Sequence, residues 1–180
     1  DRMIIGNGNP QFWGALTNNI TYKNWDLAID LQYMYGNDLL DMNLHPSEDR
    51  QALANSYTTV LDAWTPDNQN SMIAEIRDTR AGYVTNVDSR WVKDASFLRG
   101  RNLLLGYTFS PELVNRLKLS RLRVYTSTQN FFLVTGDEII GDPEVAPIRG
   151  GDGNNVFSQG MNWHAYPKPT TYLLGIQVTL

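Results

Sequence analysis

Apolar residues recur at every second position along several stretches of the chain, and this spacing predicts strands. In the clearest stretch Trp25, Leu27, Ile29, Leu31, Tyr33 and Tyr35 alternate with Asp26, Ala28, Asp30, Gln32, Met34 and Gly36. Successive strand side chains point to opposite faces, so one face is apolar and the other carries two aspartates that need water or polar partners. Just before it, Phe12, Gly14, Leu16, Ile20 and Tyr22 share a face while Thr17, Asn19 and Thr21 take the other. Lys23 and Asn24 separate the two runs, a two-residue hairpin turn in which Asn tolerates positive φ. The chain closes on the same pattern: Thr170, Tyr172, Leu174, Ile176, Val178 and Leu180 against Thr171, Gly175, Gln177 and Thr179.

Two further strands are less regular. One runs roughly from Trp91 to Phe109, where Phe97, Leu103, Leu105, Tyr107 and Phe109 share a face with Arg99 and Arg101. The arginines mark either a bulge that switches the face or the end of the apolar band. The other covers Leu122 to Val134, and its alternation is too poor to assign faces. Between the second and third strands the connection from Asn37 to about Arg90 carries one predicted helix: Ser47 as N-cap, Glu48 and Asp49 in the first turn, Leu53, Tyr57, Leu61 and Trp64 on one face, and Thr65-Pro66 as the stop. A linker, "SPELVNRLKLSR", joins strands three and four, and a second long connection runs from Thr135 to about Pro169.

The expected fold is therefore all-β, with five strands whose connections alternate short, long, short, long. Outer-membrane barrels show this asymmetry, with short periplasmic turns, long outer loops and aromatic residues at both interfaces. Tyr22 and Trp25 flank the short turn here, Tyr33 and Tyr35 lie at the far end of the same strand, and eleven residues suit a tilted membrane strand. A soluble β-sandwich is the competing architecture, but it gives no reason to gather long loops on one side.

Composition narrows the functions. A net charge of −4 without a basic stripe argues against a nucleic-acid surface. The absence of cysteine removes disulfides and thiolate metal sites, while leaving the compartment open. No 18-residue apolar run, initiator Met or signal peptide is visible, and barrel strands escape hydropathy in any case, so the chain reads as a piece of something longer.

Six segments in order carry a resemblance: "DRMIIGNGNPQFWGALTNNITYKNWDLAIDLQYMYGND", "AWTPDN", "WVKDASFLRGRNLLLGYTFSPEL", "LRVYTSTQNFF", "GDPEV" and "YPKPTTYLLGIQVTL". Together they resemble the C-terminal part of SusC/RagA-like TonB-dependent transporters of Bacteroidota. The resemblance implies that residues 1–180 supply the last five antiparallel strands of a 22-stranded outer-membrane β-barrel in a Gram-negative bacterium, with the plug domain and earlier strands outside this chain. It implies long extracellular loops, one with a short helix, and a C-terminus on the periplasmic side. It further implies import of oligosaccharides or peptides with a SusD-like surface lipoprotein as a lid, and drive from the TonB complex through the N-terminal part. The terminal strand resembles the assembly signal of such barrels, ending in Leu180 where an aromatic is usual. A soluble carbohydrate-binding module and a passive porin are the alternatives.

Within that frame Leu27, Ile29, Leu31, Leu103, Leu105, Leu174, Ile176 and Val178 are expected to face lipid, and Asp26, Asp30 and Gln32 the lumen. Trp64, Trp91, Trp163 and Tyr166 are candidates for stacking on cargo or meeting the lid, because flat aromatic faces in loops suit sugars and peptide side chains. Loop packing is the rival role, favoured for Trp64 and evenly balanced for Trp163 and Tyr166. Asp142 and Glu144 flank Pro143, which favours a loop held by Asx-type hydrogen bonds over acid/base chemistry. His45 and His164 lack a fixed-spacing partner, so no metal centre is expected. Asp152, Asn154 and Asn155 in "GGDGNN" are weak calcium candidates without the spacing of a recognised loop. No catalytic motif and no cofactor are expected.

Overall fold

The computed structural model describes residues 3–48, 55–76, 88–145, 159–163 and 165–180, without the side chains of His45 and Pro46. Eight strands are present among them: β1 (Phe12–Tyr22), β2 (Trp25–Tyr35), β3 (Asp38–Asp41), β4 (Val92–Asp94), β5 (Phe97–Thr108), β6 (Arg121–Thr135), β7 (Met161–Asn162) and β8 (Thr171–Thr179). Two short helices are α1 (Leu44–Glu48) and α2 (Pro111–Arg116). The chain divides into a sheet unit (residues 12–35, 96–136 and 167–180) and a loop unit (residues 1–11, 36–95 and 137–166).

The sheet unit is five antiparallel strands in the order β1-β2-β5-β6-β8, the five the alternation predicts. Lys23, with φ of 53°, makes the tight turn from β1 to β2. Cross-strand pairs then set one continuous apolar face. Leu16 lies opposite Leu31, Ile20 opposite Leu27, Ile29 opposite Leu103, Leu105 opposite Thr126, and Thr126 opposite Leu174. Each such pair contributes about 0.2–1 kcal/mol and jointly they fix the register, because a one-residue slip would turn every apolar side chain to the other face.

The two arginines of strand three mark a bulge. Between Asp30 and Leu31 the partners in β5 jump from Asn102 to Gly100, leaving Arg101 as an extra residue. The parity of β5 reverses there: Leu103, Leu105 and Tyr107 share the apolar face with Leu98, whereas Phe97 and Arg99 lie on the opposite face, across from Met34 and Gln32. The expected sharing of one face by Phe97, Arg99 and Leu103 is thus corrected. β6 answers with its own irregularity, where Asn130 has φ of 50°, and its Nδ2 donates to the Pro169 carbonyl at 3.0 Å. Two unpaired residues, Asn130 and Phe131, interrupt β6, which is why its alternation is unreadable from sequence.

Strand three is also shorter than expected. Residues 92–94 leave it as β4, which joins β3 and β7 in a small sheet of the loop unit, with β3 and β7 parallel. Among the described residues, Leu39, Leu44, Val60, Ala63, Trp91 and Ala95 are the buried apolar residues of that unit. The segment 6–9 is tied to β3, since Asp38 N–H donates to the Asn7 carbonyl at 2.8 Å and the Asp38 carboxylate accepts from Asn7 N–H at 2.7 Å.

The predicted helix from Ser47 to Trp64 is not continuous. Ser47 sits inside α1 rather than capping it, Tyr57 is extended with ψ of 156°, and Thr58–Asp62 forms a 3₁₀ turn that leaves Leu61 90% exposed. The β-branched run Thr58-Thr59-Val60 explains the break, since restricted χ1 disfavours α-helix. Leu53 lies outside the described residues. Conversely, the linker "SPELVNRLKLSR" contains α2, started by Pro111 in its first turn with Ser110 before it.

Candidate functional site

The two faces of the sheet differ in chemistry. On one, Leu27, Ile29, Leu31, Leu103, Leu105, Leu174, Ile176 and Val178 form a band in which Leu174 and Ile176 are 77% and 68% exposed. Exposure of this many large apolar side chains on one surface exceeds what a water-facing sheet tolerates. At the turn end of the band Trp25 meets Tyr107 at 4.7 Å between ring centroids, and Tyr107 meets Phe109 edge-on at 5.1 Å. At the far end Phe12 stacks on Tyr35 at 4.9 Å and meets Tyr33 at 6.1 Å. Tyr33 covers Gly14, where an added Cβ would lie 2.6 Å from the Tyr33 hydroxyl oxygen. Two aromatic clusters thus bound an aliphatic middle.

The opposite face carries Asp26, Asp30 and Gln32, each with a partner. Arg123 grips Asp26 through two hydrogen bonds, Nε to Oδ1 at 3.1 Å and a second guanidinium nitrogen to Oδ2 at 2.5 Å. Asn102 Nδ2 donates to Asp30 at 3.4 Å, and Arg101 Nε donates to Gln32 Oε1. Two glycines make room for this row. Gly106 lies beneath the Asp26–Arg123 pair, where a Cβ would come within 2.4 Å of Arg123, and Gly175 lies beneath the Tyr125 ring. Arg123 extends over the Tyr125 ring at 5.0 Å, a cation–π contact.

This pairing allows a direct test. Asp26→Asn or Arg123→Ala will each lower unfolding free energy by about 1–2 kcal/mol, and the double variant will cost less than the sum. Urea titration of the intact protein measures the cycle. Strict additivity would show that the contact carries no coupling.

The aromatic loop candidates fall in different surroundings. Trp91 is completely buried, so its ring belongs to the interior of the loop unit and is not presented to a ligand, with Arg90 over it at 5.5 Å. Trp64 lines an open hollow of about 370 Å³ with Met72, Glu75 and Arg90, and its backbone N–H donates to Ile73 at 2.9 Å. The neighbouring turn is held by Asn68, which bonds Asp62 Oδ1 at 2.8 Å and Thr65 O at 2.9 Å. Trp163 is half-buried and Tyr166 is 94% exposed. The Asp142 carboxylate accepts from Glu144 N–H at 2.9 Å, the Asx-type bond expected of "GDPEV". His164, Asp152, Asn154 and Asn155 lie outside the described residues, as does the side chain of His45.

Sequence reading missed Arg123, Gly106, Tyr125 and Gly175. Asp26 and Arg123 are 97 positions apart and become neighbours because β5, lying between their strands, places a glycine between them.

A single antiparallel sheet, apolar on one exposed face, polar on the other and bounded by aromatic residues, has the make-up of a transmembrane β-barrel wall. Comparison with known proteins agrees. The chain is 29% identical over 180 residues to TonB-dependent receptor P3 of Formosa agariphila, covering 99% of this chain and 17% of that receptor. It is 26% identical to TonB-dependent receptor SusC of Bacteroides thetaiotaomicron, covering 91% of this chain and 14% of SusC. The structure of the RagAB peptide importer in its closed-closed state superposes with a TM-score of 0.75 at 24% identity, over 98% of this chain and 18% of that one. No protein-family profile matches. Nearly the whole chain is thus similar in sequence to part of these TonB-dependent receptors, SusC among them, and in fold to part of RagAB, and it spans under a fifth of the length of these relatives.

Proposed function

We propose that these residues form the C-terminal five strands of a 22-stranded outer-membrane barrel that imports oligosaccharides or peptides, driven by the TonB complex and covered by a SusD-like lipoprotein. The supporting observation is the combination of whole-chain similarity to TonB-dependent receptors with a sheet that is apolar and exposed on one face. On this reading the lipid-facing band is the aliphatic face between the aromatic clusters, and Asp26, Asp30 and Gln32 line the lumen. Both long connections leave the end of the sheet opposite the Lys23-Asn24 turn and α2, which supports an extracellular position for that end and a periplasmic one for the C-terminus. Trp64 and Tyr166 are the rings available to cargo or lid, with Trp163 partly so. RagAB is a peptide importer, which favours peptide as one cargo class, and glycan stands as the other.

Fractionation and uptake test the proposal together. The native protein will sediment with outer membranes, come into solution with detergent alongside a surface lipoprotein, and support uptake that stops when TonB is removed. A protein soluble without detergent would instead be a binding module, and TonB-independent flux would make it a passive pore.

A further inference from the structure

Trp13 is an aromatic residue that the lipid band does not use. It stands between Phe12 and Gly14 on β1, so it belongs to the polar face, opposite Met34 and beside the Ala15–Gln32 pair. It is 71% exposed there. The interfacial aromatics of a membrane strand sit on the lipid face, and that role does not account for a tryptophan on this one. Burial deepens across the polar face at its level: Met34 is half-buried, and Phe97, opposite Met34 in β5, is only 4% exposed. The indole is the open side of a step in the wall. Its neighbours along the face are polar. Gln32 Oε1 accepts from Arg101 Nε, and the Gln32 amide nitrogen has no hydrogen bond to a described residue. Asp30 accepts from Asn102 and Asp26 from Arg123, so the carboxylates of this row have partners within it.

We propose that Trp13 and Gln32 form a cargo contact on the lumenal wall that takes one uncharged sugar ring of an oligosaccharide, its C–H face on the indole and its edge hydroxyls at the Gln32 amide. The inference rests on the membrane-barrel reading above and chooses glycan over peptide as the cargo met here. Trp13 and Gln32 are diagonal neighbours across two strands, about 7–8 Å apart, a separation that one sugar ring with its hydroxyls bridges. The small side chain of Ala15, next to Trp13 on this face and opposite Gln32, leaves the space between them clear. A pyranose offers an apolar C–H face to a flat ring and hydroxyls that donate and accept, which the amide matches. A peptide brings charged ends and side chains, and the carboxylates of this row are already engaged.

Calorimetric titration of the intact protein in detergent with neutral hexasaccharides of glucose, mannose, galactose and xylose, and with a peptide digest of casein, tests this. At least one of the hexasaccharides will bind. Trp13→Ala will weaken that binding roughly tenfold, and Trp13→Phe, which keeps a smaller ring, will weaken it less. Phe12→Ala, one residue away on the lipid face, will leave it unchanged. Heat-modified migration on a gel confirms that each variant is a folded barrel. Binding of peptides alone or of no sugar overturns the inference, as does sugar affinity that survives Trp13→Ala in a folded barrel or falls equally with Phe12→Ala. A protein that never enters membranes overturns the barrel reading itself, which separates the two failures.

Discussion

Ile29→Arg will destabilise the membrane-embedded receptor by about 2–4 kcal/mol, whereas Ala28→Arg, one residue away, will change it by less than about 1 kcal/mol. Ile29 stands near the middle of β2, between Asn18 and Leu103 on the apolar face. An arginine there must leave water for hydrocarbon or force lipid and water to rearrange around it. Ala28 faces the other way, between Asn19 and Leu104, with Asp26 and Asp30 as its neighbours along the strand. A cation at that position joins the polar row of Asp26, Arg123 and Asp30 and stays wet. Urea unfolding from lipid vesicles reads both variants, and equal costs for the two would overturn the assignment of the apolar face, and not the polar one, to lipid.

Gly160→Ala will loosen the loop unit by about 2–4 kcal/mol, while Gly141→Ala will cost about 1 kcal/mol. Both glycines have positive φ, 77° and 104°, so each substitution meets a backbone penalty. They differ in surroundings. A Cβ on Gly160 would lie 2.9 Å from the Gly8 Cα and 3.0 Å from the Asp38 carbonyl oxygen, whereas one on Gly141 would meet nothing within 4 Å. The Gly160 clash is with backbone, which cannot rotate away as a side-chain tip can. The Gly160 carbonyl also accepts from Leu40 N–H at 2.7 Å, a bond that holds the β3–β7 pairing. Hydrogen exchange of residues 38–41 in the intact receptor will rise strongly for Gly160→Ala and little for Gly141→Ala. Similar exchange in both would mean that the close approach of residue 160 to segment 6–9 is not what holds this sheet.

Much of the sheet unit was legible because strand patterning is local. The alternation in β1, β2 and β8 named the right residues for the right faces, and Lys23-Asn24 marked the turn. The bulge was legible as a disturbance, two arginines in an apolar row, but not its resolution. Whether Arg99 continues the face of Leu103 or leaves it depends on which residue of β5 is skipped, and the pairing partner in β2 decides that. The helical pattern in the long connection was misleading for a related reason. Leu53, Tyr57, Leu61 and Trp64 have helical spacing, yet three consecutive β-branched residues stand in the middle of that stretch and the apolar Leu61 points to solvent.

The candidate site divides in the same way. Asp26, Asp30 and Gln32 announced a polar face, since unpaired carboxylates in an apolar wall would be too costly to keep. Their partners did not announce themselves: Arg123, Asn102 and Arg101 lie 97, 72 and 69 positions downstream of the groups they meet. Nor did Trp91, one of four loop aromatics with similar sequence surroundings, reveal that it is buried while Tyr166 is exposed. What the sequence determined by itself is the period-two division of each strand into an apolar and a polar face, a consequence of backbone geometry within one segment. What only the tertiary structure decided is which strands lie side by side, where the bulge reverses parity, and which charges meet over a glycine, because those depend on contacts between segments far apart in the chain.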